Sequence, residues 1–227
     1  MDPRLRGGDS GRMKIIKADK VGIALAVEYL RDGKAVAYPT DTAYGLGVDA
    51  TNAAAVRRLY KIKGRNYKKP THVIAHNFSA AKKWAMVDAR TAGLMKKFWP
   101  GPLTLVLPMN RRATKAIKLL SAGTGSIGIR MPDNKIALEL AKKLGRPITT
   151  PSANPQGGPA PYSIRDCVRQ FKNRKHQPDL YLDAGKLPKT PPSTIVRIEN
   201  SELRMVRRGK ITEKQIQNAL FFQKNQS

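Results

Sequence analysis

The chain has 227 residues, 41% of them hydrophobic, and a formal net charge of +27. That length suits one large domain or two small ones, and no apolar run approaches the roughly 20 residues of a membrane-spanning helix. One cysteine, Cys167, excludes an intramolecular disulfide, while the charge favours polyanionic partners.

Met1 to Arg12 mix glycine, arginine and aspartate without hydrophobic periodicity and read as a disordered leader or an appended remnant. No secretory pattern opens the chain, so a cytoplasmic protein is expected, with no membrane partner. Residues 13–222 read as one domain and 223–227 as a tail. Asp19 is placed to cap a helix to Leu30, with Val21, Leu25, Ala26 and Tyr29 on its apolar face and Gly33 stopping it. Ala35 to Tyr38 is a short apolar strand. Asn52 caps a second helix carrying Val56, Leu59, Tyr60 and Ile62. A strand from His72 to Ala75, helices over 79–84 and 91–98, and a strand over 103–107 follow.

Ser126 to Arg130 forms the next strand, and Asp133 caps a helix closed by Gly145. Pro147 to Thr150 is a strand leading into a proline-rich loop. Later come a helix over 163–171, strands near 180–182, 194–198 and 203–206, and a helix over 212–222. Such alternation predicts an α/β domain with a twisted sheet of mixed parallel and antiparallel strands flanked by helices.

The basic residues are unevenly placed. From Ala50 to Pro132 there are 17 lysines and arginines against one acid, Asp88. Lys63, Arg65, Lys68 and Lys69 fall within seven residues and precede Pro70. Arginine offers phosphate a bidentate fork and lysine a mobile point charge. Gly64 between them permits close approach of the backbone. Pro151-Ser152-Ala153-Asn154 adds a hydroxyl and an amide in the loop after a strand. Cations for phosphates and small polar groups for a nucleotide suit an enzyme that holds ATP without a P-loop.

No Walker A sequence occurs. Gly45-Leu46-Gly47-Val48-Asp49-Ala50 fits a dinucleotide fingerprint in letters only, because it lies outside a strand-to-helix turn; its glycines are expected to form a tight turn beside a ligand. Thr40, Asp41, Thr42 and Tyr44 instead gather hydroxyls, a carboxylate and an aromatic after a strand, where α/β sheets bind ligands. Arg130, at a strand end, is suited to a carboxylate. His72, His76 and His176 lack metal-ligand spacing with Cys167, no G-x-S-x-G elbow exists, and acids are few. A site of cations and hydroxyls suits adenylyl or phosphoryl transfer, where positioning and charge neutralisation supply most of the rate.

Six ordered blocks carry a resemblance: YPTDTAYGLG (38–47), KGRNYKKP (63–70), FWPGPLTLVL (98–107), GIRMPDN (128–134), PSANPQGGPAP (151–161) and STIVRI (193–198). Over about Lys14 to Arg208 the chain resembles the YrdC-like threonylcarbamoyl-AMP synthases, in their short, single-domain form. The resemblance implies the YrdC-like α/β fold with a deep basic cavity. It implies a nucleotidyltransferase making threonylcarbamoyl-AMP and pyrophosphate from L-threonine, bicarbonate and ATP, the last with Mg2+ and without a protein-bound metal. The product would pass to a tRNA threonylcarbamoyl transferase complex that modifies position 37 of tRNA. Lys63 and Arg65 would be the catalytic phosphate contacts. Lys69, Ser126, Ser152, Asn154, Tyr162 and Arg207 would also bind ATP, and Thr42, Arg130 and Ser193 would bind threonine. Ile74 stands where some relatives carry a threonine-contacting histidine. A competing class is a double-stranded RNA or ribosome-associated protein, which the charge alone would suggest; a third is a carbamoyl-transfer module.

Overall fold

The computed structural model describes residues 13–199 and 202–224; the expected leader and residues 225–227 of the expected tail lie outside them. A four-stranded sheet has the order β1 (Lys14–Lys17), β8 (Leu180–Asp183), β2 (Val36–Tyr38), β3 (Gly45–Gly47). A six-stranded sheet has the order β10 (Glu202–Arg207), β9 (Thr194–Glu199), β5 (Leu103–Pro108), β6 (Ser126–Arg130), β4 (Val73–Ile74), β7 (Ile148–Thr149). Parallel and antiparallel pairs occur in both. A seam joins the sheets: Leu46 N–H of β3 donates to Pro151 O just beyond β7 (2.7 Å), and Thr149 N–H of β7 donates to Val48 O just beyond β3 (3.1 Å). The expected mixed α/β architecture is therefore present, as two sheets meeting beside the Ser152 loop.

Helices cover both faces. α1 (Lys20–Arg31) and α6 (Lys135–Leu144) pack Ile23, Val27, Leu30, Leu140 and Leu144 onto Val36, Tyr38, Ile74, Leu180 and Leu182. On the opposite face Ala35, Ala37, Val73 and Tyr181 meet α2 (Ala53–Lys63) and α7 (Ile164–Phe171) through Val56, Leu59, Cys167 and Phe171. Successive strand residues thus enter different cores, which is why these strands read as continuous apolar runs. α4 (Ala89–Phe98) and α5 (Lys115–Leu120) add Leu94 and Ile117 to the second core. α3 (Phe78–Lys82) and α8 (Glu213–Lys224) complete the helices among the described residues. None of these is long and apolar enough to cross a membrane.

Four local expectations change. On α1 the buried face is Ile23, Ala26, Val27 and Leu30, while Val21 is 73% exposed. The α6 cap is Asn134, whose side chain accepts from Ala137, rather than Asp133. Gly45 and Gly47 lie in a strand instead of a tight turn. A Cβ on Gly47 would sit 2.7 Å from Tyr38 and 2.8 Å from Ile148, so the glycine serves close strand packing. Gly64, with φ of +58°, ends α2 as its left-handed cap, a backbone role that needs no ligand.

Candidate active site

The second helix ends inside the protein. Asn52 starts α2 by accepting from the backbone of Ala54 and Ala55, and the apolar residues at helical spacing dock it so that its last residue, Lys63, is 3% exposed. The Lys63 ammonium donates to Ser152 O (2.6 Å), Asn154 O (2.7 Å) and Asn154 Oδ1 (3.1 Å). Burial first, and the neighbouring Arg65 second, push its pKa down to about 7. Three surrounding acceptors call for three N–H donors and so favour the ammonium form.

Lys63 therefore ties α2 to the Pro151–Asn154 loop. Asn154 is 5% exposed and turned inward; its amide donates to Gly158 O and Pro159 O, and Ser152 Oγ donates to its Oδ1 (2.6 Å). Its side chain shapes the loop, while Ser152 faces the adjoining cavity. Gln156 closes the junction: its N–H donates to Lys63 O (2.8 Å), and its Oε1 accepts from Arg65 Nη1 (2.7 Å). Arg65 also donates from Nη2 to Pro70 O (2.9 Å) and from Nε to Lys69 O (3.4 Å).

The cavity has a volume of about 170 Å³. Thr42, Arg130, Ser152, Tyr162, Ser193 and Arg207 line it, so six of the eleven sequence-selected residues converge on one space. Lys63, Asn154 and Arg65 stand around the loop that forms one wall. Lys69 is exposed and, like Ser126, lies outside the cavity lining. Ser126 opens β6, four residues before Arg130 and so about 13 Å along the strand. Thr40 and Tyr44 of the hydroxyl-rich loop line the cavity too, as expected of a ligand-binding loop, whereas His72, Thr150 and Thr190 are lining residues that the sequence did not mark as part of the site. His72 lay in an expected strand, and its spacing excluded it as a metal ligand. Ile74 is fully buried between α1 and α6 and outside the lining.

Arg130 holds the charge balance of the inner wall. Its Nη1 donates to Asp41 Oδ1 (2.8 Å) and its Nη2 reaches Thr42 Oγ1 at 3.4 Å. The two charged side chains are 3% and 9% exposed, yet Arg130 Nε and Asp41 Oδ2 are buried without partners. Arg207 donates to Ser193 O from Nε (3.0 Å) and Nη2 (2.8 Å), and to Ser193 Oγ (2.9 Å). Burial, then the Arg130 charge, lower its pKa. Ser193 Oγ in turn lies 2.9 Å from Thr104 Oγ1, which fixes Arg207 through β5.

The segment after β8 crosses the site. Tyr44 OH donates to Gly185 O (2.7 Å), Thr190 Oγ1 donates to Thr42 O (3.1 Å), and Tyr162 OH donates to Thr190 O (3.3 Å). Tyr162 also borders a larger groove of about 840 Å³ along α7 that includes no other sequence-selected residue. No cluster of three or more His, Cys, Asp or Glu able to hold a metal ion occurs among the described residues. Around the cavity the polar side chains are hydroxyls, two guanidiniums and the lone His72 imidazole, without a carboxylate, a set that does not fit a resident divalent cation such as Mg2+.

The fold is thus that of a mixed α/β protein whose cations gather at a strand-end loop. Residues 28–209 match the Sua5_yciO_yrdC family model, described as "Telomere recombination", and the chain belongs to that family. It is 33% identical over 199 residues to threonylcarbamoyl-AMP synthase of Pyrococcus abyssi, covering 87% of this chain and 57% of the relative. Identity to the Bacillus subtilis threonylcarbamoyl-AMP synthase is 36% over 198 residues, covering 86% and 55%. The chain thus spans little more than half the length of these two relatives. A putative threonylcarbamoyl-AMP synthase of Methanocaldococcus jannaschii is 32% identical and is covered over 93% of its length, with 88% of this chain matched. The structure of P. abyssi Sua5 complexed with L-threonine superposes with a TM-score of 0.82 at 31% identity, covering 91% of this chain and 59% of that one. E. coli YciO gives 0.78 at 26% identity, covering 90% and 98%.

Proposed function

We propose that the chain is a threonylcarbamoyl-AMP synthase, forming that adenylate and pyrophosphate from L-threonine, bicarbonate and ATP. One observation carries this reading. Lys63, Arg65 and Arg207 surround the Ser152 loop and cavity, and each bonds neutral oxygens rather than a carboxylate. Three such uncompensated, partly desolvated cations make a site for a polyanion such as a triphosphate. The family membership and the names of the relatives agree with it.

A cavity of about 170 Å³ has room for an amino acid, whereas drug-sized ligands occupy roughly 300 Å³ or more. The amino acid belongs inside, and the nucleotide extends from it over the Ser152 loop towards Arg65. Arg130 Nη2, only weakly engaged by Thr42, takes the amino acid's carboxylate, and Thr42 and Ser193 border it. The carbamate formed on the amine attacks the α-phosphorus and expels pyrophosphate. Lys63 and Arg65 offset the charge that develops on the phosphates. No side chain serves as nucleophile. Mg2+ enters only with the ATP, and no step depends on a site for it in the chain.

A cytoplasmic location and transfer of the product to a tRNA-modifying complex belong to the same reading. Incubation with ATP, bicarbonate and each amino acid in turn, scoring pyrophosphate, tests it. Threonine-specific release is expected. Its absence, with tight salt-sensitive RNA binding, would favour the RNA-binding reading that the +27 charge suggests.

A further inference from the structure

The proposed reaction starts from an ammonium group, which cannot attack carbon until it loses a proton. The cavity offers few places for that proton. Its lining consists of hydroxyl, small and apolar side chains, Arg130, Arg207 and one imidazole, with no carboxylate. The Tyr44 phenol is pushed up to about 12, mainly by burial. Asp41 stands outside the lining, bound to Arg130.

The imidazole belongs to His72, whose carbonyl accepts from Thr150 N–H (3.1 Å), fixing its backbone beside β7. Across β6 it rests on Gly128, where an added Cβ would lie 2.8 Å from His72 Cβ. Glycine there lets the histidine seat against the strand that presents Arg130. We propose that His72 is the catalytic base that takes the proton from the substrate's α-ammonium. The inference rests on the amino-acid-adenylating reading above. In the step an N–H bond breaks, its proton goes to the imidazole, and the amine keeps the electron pair. The amine and bicarbonate then give the carbamate and water.

The surroundings add a control. Burial, followed by the charges of Arg130, Arg207, Arg65 and Lys63, holds the His72 pKa well below the usual histidine value. A carboxylate on Arg130 and a triphosphate beside the other three would cancel those charges and raise the imidazole's basicity. His72 is thus a poor base in the empty site and a competent one when both substrates are bound.

The test compares wild type with His72→Gln and His72→Asn, following threonine-dependent pyrophosphate release against pH. Histidine NMR of the wild type, with and without threonine and a non-hydrolysable ATP analogue, reports the base directly. The expected result is a kcat loss of about 100-fold or more in both variants. Their KM values should stay within about threefold of wild type, and the acid limb of the wild-type kcat profile should vanish. The His72 pKa of the wild type should rise on addition of both ligands. Variants keeping kcat within about threefold, losing only KM, or a His72 pKa unmoved by ligands would overturn the proposal. A wild type that releases no pyrophosphate with any amino acid would instead remove the parent reading, and this proposal with it.

Discussion

Lys63 and Asn154 are joined twice, through Nζ to the asparagine's carbonyl at 2.7 Å and to its Oδ1 at 3.1 Å. The two residues are 91 positions apart, so the contact fastens the end of α2 to the loop after β7. A lysine that would read as a helix-end surface charge is here a structural pin, and Arg65 projects from the pinned junction.

The two cations therefore predict different phenotypes. Lys63→Met should leave two carbonyls and an amide oxygen short of donors, at a cost of about 2–3 kcal/mol. For a chain of this size that lowers Tm by about 4–12 °C. Arg65→Ala, at a more exposed position, should leave Tm within about 2 °C. Both should reduce threonine-dependent pyrophosphate release, by about tenfold or more. Thermal melts beside the pyrophosphate assay separate the roles, and full activity in Arg65→Ala would remove it from the phosphate site.

The pair of Arg130 and Asp41 is buried, with one unpartnered atom on each side. Removing one partner strands a charge, so Asp41→Ala and Arg130→Met should each cost about 3–5 kcal/mol. The double variant should cost well below the sum, giving a coupling energy of about 1–3 kcal/mol in a double-mutant cycle by denaturant unfolding. Additive losses would mean that the two side chains do not support each other.

How much of this was legible in the sequence differs from element to element. α2 was readable because Asn52, Val56, Leu59, Tyr60 and Ile62 keep the helical period. The Ser152 and Arg130 blocks were readable because their residue types are unusual at strand ends. The inward turn of Lys63 and Asn154 was not, since it follows from where the docked helix ends. Nor was His72 in the cavity, because β4 has only two residues and shows no alternation. β3 escaped because Gly-Leu-Gly has little strand propensity; its neighbours in β2 and β7 make it a strand.

Gly47 tests that last point. Alanine would be acceptable in a tight turn of ordinary backbone geometry. In β3 its Cβ meets the Tyr38 ring at 2.7 Å and Ile148 at 2.8 Å, at the seam between the sheets. Gly47→Ala should therefore destabilise by about 1–3 kcal/mol, measured by urea unfolding. A change within about 0.5 kcal/mol would show that the seam is looser than described.

Acid stability provides the final check, independent of catalysis. His72 has a depressed pKa in the fold, so below about pH 6.5 the unfolded chain binds a proton that the folded chain refuses. Stability must then fall as pH drops, by up to about 1.4 kcal/mol per pH unit from this residue. His76, also depressed, mainly by burial, adds to the effect. The comparison is therefore between wild type and His72→Gln, unfolded by urea at pH 7.5 and at pH 5.5. The variant should lose less stability between the two, by about 1 kcal/mol. Equal losses would mean that His72 titrates alike in the folded and the unfolded chain, so that burial and the charges of Arg130, Arg207, Arg65 and Lys63 do not act on it as described.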